Sequence, residues 1–101
     1  MRPRGYLYIL KCSDGSYYVG STSDLEYRVA QHQSGEVPGY TAAHRPVTLV
    51  YSCEFENPYE AFLRERQVKG WSRKKKEALI REDYAALVEL SKSRPPSTGS
   101  G

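Results

Sequence analysis

Residues 6–21 read YLYILKCSDGSYYVGS, two segments rich in β-formers around a turn. The flanks YLYILK and YYVGS predict the two strands of a β-hairpin, and the number of turn residues between them decides its register. A two-residue loop of Asp14 and Gly15 pairs Tyr8 with Ser21 and sends Tyr8 and Tyr18 to opposite faces. A three-residue loop of Ser13, Asp14 and Gly15, with Gly15 left-handed, pairs Cys12 with Ser16 and Leu10 with Tyr18. Because side chains alternate with period two, Tyr8, Leu10, Tyr18 and Gly20 then share a face. The second register is the one expected.

Downstream, Ser23, Asp24, Leu25 and Glu26 form an S-x-x-E capping box, and Gly35 is a C-terminal stop. Together they predict a helix over residues 24–33. On it Arg28 and His32 share a side, while Leu25 and Val29 form an apolar stripe. Residues 35–47, GEVPGYTAAHRPV, hold two Gly and two Pro and read as a loop. A third strand is expected at 47–55. Asn57 as N-cap, Pro58 at the first helical position and Glu60 start a second helix that Gly70 ends. Its apolar stripe, Ala61, Phe62 and Val68, includes Glu65, a carboxylate that is costly to bury without a partner. Ser72 is expected to cap a helix to about Arg81, and Asp83 another to about Leu90. These elements predict an α+β fold, a small three-stranded antiparallel sheet flanked by helices, as one domain over residues 1–92. Residues 93–101, SRPPSTGSG, are expected to be a disordered tail.

Composition narrows the function class. A chain of 101 residues, 27% charged and 39% hydrophobic, suits one soluble domain. There is no apolar run of membrane-spanning length and no signal-peptide stretch, so a cytoplasmic location is expected. Cys12 and Cys53 lack metal-ligand spacing and read as free thiols, in keeping with a reducing compartment. The net charge of +3 is unevenly spread. Residues 64–81, RERQVKGWSRKKKEALIR, carry eight Lys or Arg against two Glu, a net +6, which leaves −3 for the rest. Such a patch attracts polyanions.

Tyr6-Leu7-Tyr8, then Tyr18-Val19-Gly20, then Arg28, His32 one turn later and a Glu in a later helix resemble the GIY-YIG nuclease superfamily. That superfamily includes the incision module of bacterial nucleotide excision repair, which brings DNA repair into view, and certain homing endonucleases. Small stand-alone bacterial members share the YxYIL start, the YT loop and the GWSRxKKEALI-like segment, so the resemblance spans roughly residues 5–82. It implies a phosphodiester-cleaving site with one divalent cation, Mg²⁺ or Mn²⁺. Tyr8 and Tyr18 match the motif tyrosines, Arg28 the phosphate-facing arginine, and Glu65 the metal-ligating glutamate. His32 is a fifth candidate, orienting a tyrosine or water or accepting a proton.

The chemistry suits these residue types. Phosphodiester hydrolysis needs a deprotonated water, stabilised phosphoryl oxygens and a discharged leaving group. A tyrosine can relay the proton if a nearby cation lowers its pKa, Arg28 can grip the phosphate bidentately, and a hard carboxylate suits Mg²⁺. Glu60 is the alternative ligand, although its position suits a cap. Each residue also has a plainer reading: the tyrosines as sheet residues, Arg28 and His32 as solvated helix positions. Two departures from the family pattern stand out. Tyr6 occupies the place of the motif glycine, with Gly5 one position too early, and residues 70–81 contain no asparagine to match the one many larger members carry.

The expected activity is that of a metal-dependent endonuclease on DNA, with RNA as a further substrate class. A chain of this length leaves little room for a target-recognition domain, so low sequence specificity is expected, with single-stranded or branched DNA preferred. Tyr40, Thr41, His44 and Arg45 in the loop, with Lys69, Trp71, Arg73, Lys74, Lys75 and Lys76 in the basic segment, are the candidate nucleic-acid contacts. Trp71 reads equally as a core residue. The alternatives are a non-catalytic nucleic-acid-binding module of the same fold, or an adaptor whose basic helix binds an acidic partner.

Overall fold

The computed structural model describes residues 3–92, so the expected tail lies outside the described residues. The elements are, in order, β1 (Gly5–Lys11), β2 (Tyr17–Thr22), α1 (Leu25–Ser34), α2 (Tyr40–Ala43), β3 (Thr48–Phe55), α3 (Pro58–Lys69), α4 (Arg73–Ile80) and α5 (Tyr84–Lys92). The fold is α+β, a three-stranded antiparallel sheet in the order β2-β1-β3 with five helices among the described residues. Two compact units divide the chain, one ending at Gly70 and one beginning at Trp71.

In the first unit the hairpin takes the three-residue turn. Leu10 lies opposite Tyr18 and Tyr8 opposite Gly20. Cys12 N–H donates to Ser16 O at 2.8 Å, and Gly15 is left-handed at φ 86°. Asp14 Oδ1 accepts from Ser16 N at 3.0 Å, so the aspartate fastens the turn it belongs to. On the other side of β1, β3 pairs with a bulge: Ile9 faces Tyr51 and Leu10 faces Leu49.

As the middle strand, β1 is covered on both faces, with Leu7, Tyr8, Ile9 and Leu10 all buried. Burying a large aliphatic side chain stabilises by about 1.5–3 kcal/mol. Tyr8, Leu10, Cys12 and Val47 form one cluster, against which Tyr18 and the α1 residues Leu25 and Val29 pack. Leu7, Ile9 and Val19 alternate to the opposite face. Helix α3 packs against β1 and β2 and buries Ala61 and Val68. Its start abuts the sheet so closely that a Cβ on Gly5 would stand 2.5 Å from Asn57 O, which requires glycine there.

Several local expectations need correction. The cap of α1 is Asp24 rather than Ser23. Asp24 has extended backbone and accepts from Tyr27 N at 3.2 Å, while its own N–H donates to Thr22 Oγ1. The 35–47 loop contains the four-residue helix α2, too short to leave a periodic signal. Phe62 is exposed rather than part of the buried stripe, because it lies one helical step off the line of Ala61, Glu65 and Val68. The Arg66 guanidinium sits 6.0 Å from its ring centroid. Asn57 caps α3 as expected, accepting from Glu60 N at 2.9 Å. Gly70 ends that helix in right-handed conformation, φ −85°.

In the second unit, Ser72 caps α4 by accepting from Lys75 N at 3.2 Å, and Ala78 and Leu79 are buried. Asp83 accepts from Ala86 N at the start of α5. No helix among the described residues is long and apolar enough to cross a membrane.

Candidate active site

Tyr8 and Gly20 are cross-strand partners, and the tyrosine ring lies over the glycine. A Cβ at position 20 would meet Tyr8 Cζ and Oη at 2.5 Å, so any larger residue displaces the phenol. The glycine is thus required by Tyr8 itself. From the strand beside it, Tyr18 places its ring centroid 6.4 Å from that of Tyr8, on the same face, as the three-residue turn demands.

Helix α1 brings Arg28 and His32 onto this face. His32 is fully buried; its Nε2 lies 2.9 Å from Tyr8 Oη and its Nδ1 lies 2.8 Å from Thr41 Oγ1. Its ring is 5.0 Å from that of Tyr18. Burial lowers the His32 pKa, and the neighbouring Arg28 charge lowers it further, so the imidazole is held neutral. Burial likewise pushes the Tyr8 phenol up to about 12, with Tyr18 adding to the rise and Arg28 acting in the opposite direction. The cation expected to lower a tyrosine pKa is in place, but at Tyr8 desolvation outweighs it. Among the described residues, Arg28 Nε is buried without a hydrogen-bond partner. An unpaired buried donor costs roughly 1–3 kcal/mol, which an oxyanion would relieve.

Glu65 stands at the edge strand. Its side chain is 13% exposed, Oε1 accepts from Ser21 Oγ at 2.5 Å, and Oε2 lies 2.7 Å from Lys69 Nζ. The pairing raises the Lys69 pKa. The buried carboxylate therefore has two protein partners. Ser21 alternates to the face opposite Tyr8 and Gly20, so Glu65 is bonded through a β2 residue of that face. Glu65 and Tyr8 still sense one another, since the Glu65 charge contributes to raising the Tyr8 pKa. Nothing in residues 18–28 hints at a bond between Ser21 and a side chain so far along the chain, and sequence reasoning missed Ser21. No cluster of three or more His, Cys, Asp or Glu occurs among the described residues. One carboxylate beside a hydroxyl is a hard-oxygen set, and it fits an ion such as Mg²⁺ that keeps most positions for water and substrate.

The loop candidates separate. Thr41 is buried, so its hydroxyl serves His32 and is not on a nucleic-acid-facing surface as expected. Tyr40 and His44 stack, centroids 4.0 Å apart. Tyr40 Oη donates to Asp14 Oδ2, His44 Nε2 lies 3.7 Å from the same oxygen, and Ser16 Oγ lies 2.8 Å from Tyr40 Oη. Hydrogen bonds from Ser16, whose Oγ donates to Asp14 Oδ1 at 2.6 Å, and from Tyr40 hold the Asp14 carboxyl well below its ordinary range, and the bond to Asp14 raises the Tyr40 phenol. Asp14 thus ties the hairpin turn to α2, a role its turn position did not disclose. Arg45 is exposed, its guanidinium against Gly35. In the second unit Arg73 and Lys74 are exposed, Lys75 and Lys76 half-buried, and Lys75 Nζ sits 4.5 Å from the centroid of the half-buried Trp71 ring. Arg73 also pairs with Glu77 at 3.2 Å.

Residues 4–78 match the GIY-YIG catalytic domain, and the chain belongs to that family. Within it, the chain is similar to small proteins named UPF0213. One from Bacillus pumilus is 48% identical over 77 residues, covering 76% of this chain and 79% of the relative. One from Halobacterium salinarum is 45% identical, covering 74% of this chain and 97% of the relative. Two solution NMR structures share the fold. The UPF0213 protein of Bacillus halodurans is 42% identical at TM-score 0.51, covering 77% of this chain and 83% of that one. A protein from E. faecalis is 34% identical at TM-score 0.55, covering 81% and 88%.

Proposed function

We propose that the protein is a metal-dependent endonuclease that hydrolyses DNA phosphodiester bonds with low sequence specificity, preferring single-stranded or branched DNA. The family's catalytic domain makes nucleic acid the substrate class, and divalent metals are typical of its nucleases. The observation that carries the reading is the buried Arg28 Nε without a partner, beside two tyrosines and a neutral histidine. An unsatisfied cationic donor among proton-transfer groups suits a phosphoryl oxygen.

In this reading Arg28 takes the phosphate, drawing its guanidinium from the phenol toward the oxyanion. Tyr8 receives the proton of the attacking water and passes its own to His32 Nε2, 2.9 Å away. The neutral imidazole makes that transfer feasible although the phenol itself is a weak acid. Tyr18, half-buried on the edge strand, donates to a phosphate or water oxygen. Glu65, with Ser21, would hold Mg²⁺ or Mn²⁺, which supplies charge neutralisation on the phosphate and leaving oxygen. Lys69 sits on the Glu65 oxygen such an ion would need, so its ammonium would have to leave that oxygen free. Exposed Arg45, Arg73 and Lys74 supply phosphate contacts, Tyr40 a stacking surface, and two free thiols suit a cytoplasmic setting.

The Glu65–Lys69 pair also favours a second reading, a binding module in which the lysine permanently neutralises the glutamate. Cleavage of single-stranded, duplex and branched DNA with Mg²⁺ or Mn²⁺ separates the two. The nuclease reading expects cutting by the parent and, for Glu65→Gln, retained binding without cutting. A parent that binds every substrate and cuts none establishes the binding module.

A further inference from the structure

We infer that Thr41 is a positioning residue for the Tyr8–His32 pair: its Oγ1 takes the Nδ1 proton of His32 and thereby presents a bare Nε2 to the phenol. The donors and acceptors around Tyr8 Oη lead to this assignment. His32 Nε2 lies 2.9 Å from the phenol oxygen, and Arg28 is the cation that acts on that phenol. A guanidinium only donates. Among the described residues the imidazole is the acceptor that the phenol proton meets, so Nε2 carries a lone pair. A neutral imidazole then has its proton on Nδ1, which points at Thr41 Oγ1 at 2.8 Å. The opposite tautomer turns an N–H toward the buried phenol and deprives its O–H of that acceptor.

The position of Thr41 is itself fixed from the hairpin. Its short helix is tied down by the bond from Tyr40 Oη to Asp14 and by Ser13 N–H donating to His44 O at 2.9 Å. The turn that sets the Tyr8–Tyr18 register thus also places the group that sets the histidine tautomer.

The inference rests on the nuclease reading for its kinetic consequence, but the tautomer is measurable without turnover. Nitrogen-15 NMR of the His32 ring in the unmutated protein is expected to show Nδ1 protonated and Nε2 bare; an Nε2–H ring overturns the inference. Thr41→Val removes the hydroxyl at constant shape and is expected to raise the Nε2–H population, whereas Thr41→Ser keeps the parent tautomer. An unchanged tautomer in Thr41→Val, or in Thr41→Ala should the valine variant not fold, also overturns it. Cleavage is expected to fall about tenfold in Thr41→Val, the rate equivalent of one buried hydrogen bond, and to return in Thr41→Ser. A parent with the Nδ1–H tautomer but no cleavage defeats the nuclease reading while leaving the tautomer assignment standing.

Discussion

Gly20→Ala tests the hinge of the site with one carbon atom. The new Cβ would stand 2.5 Å from both Cζ and Oη of Tyr8. Ordinary carbon contacts lie at about 3.5–4.0 Å, so the ring must retreat by about 1 Å or more. The Tyr8–His32 bond of 2.9 Å would then stretch to about 3.9 Å, beyond hydrogen-bond range. The ring has little freedom, because Tyr8 is 1% exposed. Overpacking of this kind costs about 1–3 kcal/mol. A value of about 2 kcal/mol lowers the melting temperature by roughly 8–16 °C in a domain of this size. Cleavage should fall about a hundredfold as proton transfer from Tyr8 is lost. The assays are thermal unfolding by circular dichroism and single-turnover cleavage, repeated in a Tyr8→Phe background. There the second loss in rate should be much smaller, since both changes remove the same bond. Parent-like melting and parent-like cleavage in Gly20→Ala would refute the placement of the phenol over the glycine.

Three further outcomes are expected. Tyr8 keeps its proton in the fold up to about pH 12 against 10.0 for a free tyrosine, so its contribution is complete below pH 10 and is lost as pH rises toward 12. That amounts to roughly 3 kcal/mol, and urea unfolding of Tyr8→Phe should show a correspondingly shallower loss over the same window. The His32 pKa is lowered from 6.5, so the unfolded chain takes up the proton first and stability falls as pH drops below that value. His32→Gln should flatten this acid limb of the stability profile. Lys69→Met removes the ammonium on Glu65 Oε2, so Mn²⁺ titrated by calorimetry should bind more tightly than to the parent; weaker binding would refute competition for that oxygen.

Much of this architecture was readable from local chemistry. The Ser13–Gly15 turn determines which strand residues face together, and Asn57, Pro58 and Gly70 bound α3 by caps that depend only on near neighbours. Tyr8, Tyr18, Arg28 and His32 converge because strand and helix periodicity place them on one side. What stayed hidden is non-local. The bonds of Ser21 to Glu65, Tyr40 to Asp14 and Thr41 to His32 join residues that only the packed chain brings together. Cap choice between Ser23 and Asp24 turned on which side chain reaches the Tyr27 N–H, and helix α2 fell below the length at which periodicity speaks. The buried stripe of α3 suggested that Glu65 needed a partner, but not that Ser21 and Lys69 would supply it.

The proton path joins the central strand to a helix of only four residues. Tyr8 lies in the middle of the central strand among Leu7, Ile9 and Leu10, where amide exchange requires global unfolding. Thr41 lies on a four-residue helix whose N-cap, Gly39, makes no side-chain cap bond. So short a segment depends on its bonds to the hairpin rather than on its own turns, and is expected to open at a fraction of the global free energy. Warming should therefore silence the site through fraying of residues 40–43 while the sheet still gives a native circular dichroism signal. Heat inactivation and melting become two separate events, and hydrogen exchange at Thr41 and Tyr8 would time them independently.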